Sequence, residues 1–284
     1  MTETVRFGSW NLFNGGIDGV NGRDESRRHS QIEILAALQC DVLALQELTG
    51  WEAEDWRRLF ELANALKMVP LPPVTSHIGN GRNHLALLYR PEKVRVVGYR
   101  PDLGKGALHH GLARARLAVE SEEFLAFATH LAWSEGETRL KETRWVTDYG
   151  GVFPGCPQAA VCLGDLNVPS NQDPEPDWNL VPRNLHSRYR LMRADGSFGD
   201  VDRRALRVLL NSGWIDPQTL VSEARAATVG YWYANEPVPL HLDHILTTRQ
   251  IKVRAYRTHD TAQARAASDH LPIYLDAELG EVRQ

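Results

Sequence analysis

Cysteine is scarce in this chain: of 284 residues only Cys40, Cys156 and Cys162 are cysteine, and no two form a Cys-x-x-Cys pair. This excludes a disulfide framework and a thiolate zinc site, and it favours a reducing compartment. Cys40 and Cys162 lie in apolar surroundings and read as buried free thiols. There is no apolar run near the ~20 residues of a membrane span. Met1 to Arg6 holds no basic segment leading into an apolar stretch, so a cytoplasmic protein without a membrane partner is expected. Excess positive charge is also missing. The formal net charge of -4 argues against wholesale coating of a polyanion, although a cleft can still be locally positive. No linker, repeat or low-complexity tract interrupts residues 1–284, which therefore read as one domain. What remains, 43% apolar and 24% charged residues, is the composition of an ordinary globular protein with a substantial core.

Periodicity supplies the elements. Val5–Leu12 reads as a strand and residues 24–39 as a helix, with Ile32, Leu35, Ala36 and Leu38 at helical spacing. Asp41–Gln46 is a buried strand, and a second helix spans Glu54–Lys67 with Trp56, Leu59, Phe60 and Ala63 on one face. Beyond a proline-rich loop at 70–73, strands are expected at 84–90, 93–99, 112–119 and 124–130, then a helix at 136–149 and a strand at 160–165. Four prolines make Pro169–Pro182 irregular. A helix at 203–211 and strands at 228–233, 240–247, 251–257 and 271–279 complete the pattern. Two halves that both mix hairpins with helices imply an α/β fold of two packed sheets flanked by helices.

Polar residues collect where those strands end. Asn11 closes the first strand, Gln46-Glu47 the second and His130 the strand at 124–130. Asp165 and Asn167 follow Val161-Cys-Leu-Gly, Asp243 interrupts Leu240–Leu246, and Asp269-His270 precedes the last strand. A charge at the end of an apolar strand is costly to desolvate unless it is paired or metal-bound. Any one of these sites is explained by a turn; six together are not. Carboxylate and amide oxygens suit Mg²⁺, with Mn²⁺ as a substitute, and the lack of cysteine or paired histidine ligands disfavours zinc.

The ordered series Ser-Trp-Asn-Leu, Leu-Gln-Glu, Thr-His-Leu, Gly-Asp-Leu-Asn, Leu-Asp-His-Ile-Leu and Ser-Asp-His-Leu-Pro resembles the endonuclease/exonuclease/phosphatase superfamily over residues 5–279. The resemblance implies a four-layer α/β sandwich and a Mg²⁺-dependent phosphodiester hydrolase, acting on nucleic acid or a nucleotide-like substrate. It also implies roles. Glu47 is the main metal ligand, with Asn11 and Asp269 near the ion. Asp165 orients or deprotonates the attacking water, and Asn167 positions phosphate or nucleophile. His270 contacts the scissile phosphate and is kept basic by Asp243, and His130 completes the catalytic set. The chemistry is consistent with this, because a cation and an imidazolium stabilise negative charge developing on phosphate oxygens. Members resembling apurinic endonucleases carry Tyr in place of His130, and Gln-Glu-Thr-Lys in place of Gln46–Thr49. The Thr-His-Leu form is closer to the deoxyribonuclease, deadenylase and sphingomyelinase branch. A Trp-Thr-Asp-Arg-type motif, as in inositol-polyphosphate phosphatases, is also missing at Leu242–Ile245.

Substrate contacts are less constrained. Arg82 and Asn83, before the strand at 84–90, either face the site or make a polar turn; Asn83 is also a candidate to orient His130. In Tyr231-Trp232-Tyr233, Trp232 is a candidate to stack on a base, while packing accounts equally well for two of the three rings. Arg183, Arg188, Arg190, Arg193, Arg203, Arg204 and Arg207 face only Asp195, Asp200 and Asp202 within their stretch. They form either a phosphate-backbone grip or, more simply, a solvated surface. His109 and His110 receive no role. Two other functions stay in view: a phosphatase or phosphodiesterase of small or lipid phosphates, and a non-catalytic binding protein. An apolar membrane-contacting hairpin is not evident, which disfavours lipid, and the intact polar set disfavours loss of catalysis. The sequence sets neither the oligomeric state nor the choice between DNA, RNA and small diesters.

Overall fold

The computed structural model of the protein describes residues 3–18, 24–76 and 82–280. In chain order its elements are β1 (Thr4–Asn11), α1 (Ser26–Leu38), β2 (Val42–Gln46), α2 (Arg57–Leu66), β3 (Val69–Pro70), β4 (Ala86–Tyr89), β5 (Arg95–Arg100), β6 (Leu112–Val119) and β7 (Glu122–His130). There follow α3 (Gly136–Thr147), β8 (Ala160–Asp165), α4 (His186–Tyr189), β9 (Arg190–Met192), β10 (Phe198–Val201), α5 (Arg204–Asn211), β11 (Asp243–Thr247), β12 (Ile251–Thr258), α6 (Ala262–Ala267) and β13 (Ile273–Leu279).

The strands form a six-stranded sheet in the order β12-β13-β1-β2-β4-β3 and a five-stranded sheet in the order β11-β8-β7-β6-β5, with β9 and β10 paired apart from them as a two-stranded hairpin. Each sheet is mixed: β1 runs parallel to β2 and β7 parallel to β8, and the remaining pairs are antiparallel. One apolar cluster fills the space between the sheets, where Phe7 of β1 meets Phe124 of β7 edge-on at 5.7 Å. A second cluster lies between the larger sheet and α1, α2 and α6, and a third between the smaller sheet and α3 and α5. The result is the helix–sheet–sheet–helix sandwich. Central strands covered on both faces need continuous apolar sequence, and every residue of β2 and β8 is buried. β13, by contrast, alternates buried and half-buried positions.

Most expected elements form, with bounds that differ by up to three residues at an end, and Pro169–Pro182 holds only the single turn Trp178–Leu180. Two expectations need correction, and a helix is added. Phe60 is 57% exposed: the stripe that packs on the sheet is Leu59, Leu62, Ala63 and Leu66, and Phe60 lies one residue, about 100°, off it. Residues 228–233 make no strand, only an isolated bridge between Val229 and Leu240. Gly230 there has φ +98°, and a Cβ on it would lie 2.2 Å from the Val238 carbonyl oxygen, so the chain turns instead of extending. Residues 262–267 form a helix that the sequence reading did not include; the Thr261 hydroxyl caps it by accepting from Ala264 N at 3.1 Å.

Candidate active site

Sheet register gathers the polar strand ends. Asn11 stands opposite Gln46 in the parallel pair β1/β2, and His130 opposite Asp165 in the parallel pair β7/β8. Asp243 opens β11 opposite Asp165, and β13 begins just after His270 with Ile273 opposite Ser9 of β1. The ends of four strands and the beginnings of two others therefore share one edge of the sandwich. Gly164 permits this convergence, since a Cβ there would sit 1.9 Å from the Thr129 carbonyl oxygen of the neighbouring strand. Two uncharged hydroxyls lock the loops in place. Ser268 donates to the Asn11 carbonyl at 2.7 Å and accepts from His270 N, and Thr228 Oγ1 accepts from Leu242 N at 3.1 Å. The Trp10 indole N–H donates to the His270 carbonyl at 2.8 Å.

Within this edge lies a cleft of about 590 Å³ whose lining includes Glu47, Asn83, His130, Asp165, Asn167, Trp232, Asp269 and His270. His270 Nδ1–H donates to Asp243 Oδ2 at 2.8 Å, and its Nε2 lies 3.8 Å from Asp165 Oδ2. Asp165 is enclosed by donors: Asn167 N reaches Oδ1 at 2.8 Å, while Asn11 Nδ2 at 3.1 Å and His130 Nε2 at 3.3 Å reach Oδ2. Asn167 also donates to the Leu131 carbonyl at 3.0 Å. Asn11 Nδ2 reaches Glu47 Oε1 at 3.2 Å, and Asn14 N donates to Glu47 Oε2 at 3.0 Å. Glu47 adopts φ +56°, a left-handed conformation costing a non-glycine residue about 1–2 kcal/mol, which is tolerated where the surroundings hold it.

Burial would strip His270 of its proton, yet Asp243 and then Asp165 raise its pKa well above the ordinary range. Burial pushes Asp165 up, but His270 and His130 outweigh it and hold the carboxyl far below its usual value. Asp269 moves the other way. Burial lifts it to about 6, against the pull of His270 and with Glu47 adding repulsion. Two carboxylates that repel one another are a donor set that a hard divalent cation satisfies. Glu47 and Asp269 therefore fit such an ion, while Asn11 stands beside them with its amide nitrogen toward Glu47 and its Oδ1 accepting from Phe13 N at 3.0 Å. The tightest acid–histidine grouping among the described residues is a different one: Asp165, Asp243 and His270, with ligand atoms within 4.8 Å of one another. Both nitrogens of His270 already face a carboxylate there, so this trio is better suited to holding a proton than an ion.

Other sequence candidates separate. Asn83 lines the cleft but accepts from Thr49 Oγ1 at 2.9 Å; the neighbours that hold His130 are Asp165 and the stacked ring of His110, 4.4 Å away. Arg82 pairs with Glu52 at 2.8 Å and does not line the cleft. Trp232 lines it, edge-on to Phe13 at 5.5 Å. Tyr233 lines it as well and donates to Asp269 Oδ2 at 3.0 Å, whereas Tyr231 packs in the helix-side core. Three of the seven arginines in the stretch Arg183–Arg207 are internal structure, and Arg183, Arg193 and Arg207 are exposed. Arg190 donates to the Gly199 carbonyl, Arg203 to those of Ser170 and Asp173, and Arg204 to Asp202 and Glu137. Arg188 alone of them lines the cleft, among the described residues. The sequence gives no role to Trp133, Trp178, Tyr189 and Glu236, which line the cleft, or to His110, which stacks beneath it. Only the local aromatic density hinted at them. No helix among the described residues is long and apolar enough to cross a membrane.

Two mixed sheets between helix layers, with a carboxylate, amide and imidazole cluster at one edge, define a phosphoesterase sandwich. The chain belongs to the Endonuclease/Exonuclease/phosphatase family, whose model matches residues 8–270, and it is a hydrolase of phosphate esters. The fold is similar to that of a family member from Bacteroides vulgatus (16% identity, TM-score 0.68, covering 98% of this chain and 100% of that one). It is also similar to a mannosyl-6-phosphatase from Bacteroides thetaiotaomicron (17%, 0.64, 96% and 99%). D. rerio TDP2 in complex with a single-strand DNA product is similar too (16%, 0.62, 97% and 99%). No curated protein matches in sequence.

Proposed function

We propose that this protein is a Mg²⁺-dependent phosphodiesterase, with Mn²⁺ as a possible substitute, that hydrolyses nucleic acid or a nucleotide-like ester. The observation carrying this reading is the meeting of Asn11, Glu47, Asp165, Asp243, Asp269 and His270 around one cleft edge, with His270 set between two carboxylates that favour its charged form. Glu47 and Asp269 would hold the ion, with Asn11 beside it steadying Glu47, and the ion would supply charge neutralisation at the phosphate oxygens. His270 donates its Nε2 proton to a non-bridging or leaving oxygen, and Asp243 keeps that proton available at neutral pH. Asp165 orients the attacking water through Oδ2. Its depressed pKa makes it a weak base, so it takes the water's proton only as the new phosphorus–oxygen bond forms, while His270 gives its own proton to the leaving oxygen. Asn167, fixed by its bond to Leu131, presents its amide toward phosphate or nucleophile. His130 shares Asp165 Oδ2 and anchors that carboxylate from the other side.

The mannosyl-6-phosphatase and the DNA-bound TDP2 share this fold, so fold alone leaves both monoesters and diesters open. The decisive experiment is a substrate panel of single- and double-stranded DNA, RNA, dinucleotides, sugar phosphates and an aryl phosphodiester, run with Mg²⁺, with Mn²⁺ and in excess chelator. Turnover of a nucleotide-containing diester that stops with chelator and returns with metal is expected. Full activity in chelator would refute the metal dependence, and turnover of sugar monoesters alone would refute the diesterase reading.

A further inference from the structure

Resting on that reading, we infer that the outer half of the cleft is a pocket for a single planar, non-anionic ring group attached to the scissile phosphate. The substrate is then one nucleotide-sized ester and not a strand.

Three observations carry this. The cleft is built for a ring. At about 590 Å³ it has the size of a small-ligand site, and Phe13, Trp133, Trp178, Tyr189, Trp232 and Tyr233 all line it. Val181, Val238, Leu240 and Leu242 line it too and form a buried apolar cluster of their own, separate from the three cores of the sandwich. Several of the rings are fixed in advance. The Trp178 indole donates to Glu175 at 2.8 Å and lies 4.8 Å from the Arg190 guanidinium, Trp232 rests edge-on against Phe13, and Trp133 lies 4.9 Å from the guanidinium of Arg188. Rings held this way lose little entropy when a planar group stacks on them.

The electrostatics exclude a polyanion. The lining carries Glu47, Asp165, Asp269 and Glu236 against Arg188 and the imidazolium of His270, and Arg188 is the one arginine or lysine among the described residues there. A strand brings a phosphate at every nucleotide, each needing a cation. Arg190, Arg203 and Arg204, which the sequence places nearby, spend their donors on carbonyls and carboxylates of their own fold. Glu236, hydrogen-bonded with Tyr189 and close to Arg188, would repel a second phosphate. It would accept from the amino or hydroxyl groups of a nucleoside.

The test is calorimetric titration of the full chain in excess chelator, so that the result is independent of whether turnover needs a metal. The probes are AMP, adenosine, ribose 5-phosphate and a 20-nucleotide single strand. Adenosine and AMP should bind, and ribose 5-phosphate at least roughly 10-fold more weakly, the scale of one base–aromatic stack. Trp178→Ala and Trp133→Ala should each weaken AMP by roughly 10-fold. Trp133 is 50% exposed, so its variant folds even if the Trp178 variant does not. AMP affinity should change with salt as for one phosphate, and the strand should bind no tighter than AMP. Equal binding of ribose 5-phosphate and AMP would overturn the ring pocket. A strand that binds more tightly than AMP, with a salt slope that grows with its length, would overturn the exclusion of polymer.

Discussion

Replacing Asp269 by Asn separates two energies that the cleft holds in opposition. The Asp269 carboxyl sits at about 6 instead of 3.8, displaced by burial and by Glu47. One pKa unit corresponds to about 1.4 kcal/mol, so ionising Asp269 costs the metal-free fold at most about 3 kcal/mol, less what solvent at the cleft mouth screens. The folded-state pKa is raised, so this group's contribution to stability is full below 3.8 and is lost as pH rises through 6. Asn mimics the protonated acid and keeps an oxygen for the Tyr233 hydroxyl. In chelator at pH 7.5, Asp269→Asn should therefore be about 2–3 kcal/mol more stable than the native chain, and at pH 4 the two should nearly coincide. Comparing the two proteins cancels the other carboxylates, whose depressed values pull stability the opposite way. Mg²⁺ should reverse the order. At 1,000 times its Kd it adds about 4.1 kcal/mol to the native chain, and much less to a variant that has lost a ligand. Urea unfolding followed by circular dichroism, at both pH values and with and without Mg²⁺, measures all of this. Equal stability of the two proteins at pH 7.5 in chelator, with an equal response to Mg²⁺, would refute both the repulsion and the ligand role.

Asp165→Asn keeps the shape of the water-orienting group while removing its charge, so kcat should fall by roughly 10²-fold or more. Substrate affinity should hold or tighten, and a near-normal kcat in steady-state assays would remove Asp165 from the mechanism. Asp243→Asn should lower the His270 pKa, since Asp243 is the strongest group raising it. The alkaline limb of the pH–rate profile should then move to lower pH, and an unmoved limb would show that His270 is not the proton donor.

The sheet strands and long helices were legible locally, because covered strands need unbroken apolar runs and helices need an apolar stripe. Asp41–Gln46 and Val161–Leu163 have such runs, and α1 and α2 such stripes. Phe60 was misplaced because a stripe has a width that spacing alone does not define. Residues 228–233, rich in β-forming side chains, were misread because Gly230 and the Val238 carbonyl decide the backbone there, and Val238 lies eight positions further on. The site residues were visible as chemistry: polar groups that interrupt apolar strands need a reason. Their assembly was not, because no local signal states that Asn11 opposes Gln46, or that Asp243 opposes Asp165.

By itself, the sequence determined which residues must be compensated: Glu47, Asp165, Asp243 and Asp269 are carboxylates at the ends of buried strands, and desolvation requires partners for them. Only the tertiary structure decided which partners. It gave His270 to Asp243 and Asp165, turned Arg190, Arg203 and Arg204 inward and Arg82 to Glu52, and brought Trp133, Trp178 and Trp232 around one cleft. Composition sets the cost of burying a charge, whereas the register of strands distant in the chain sets which opposite charge or ring is within reach.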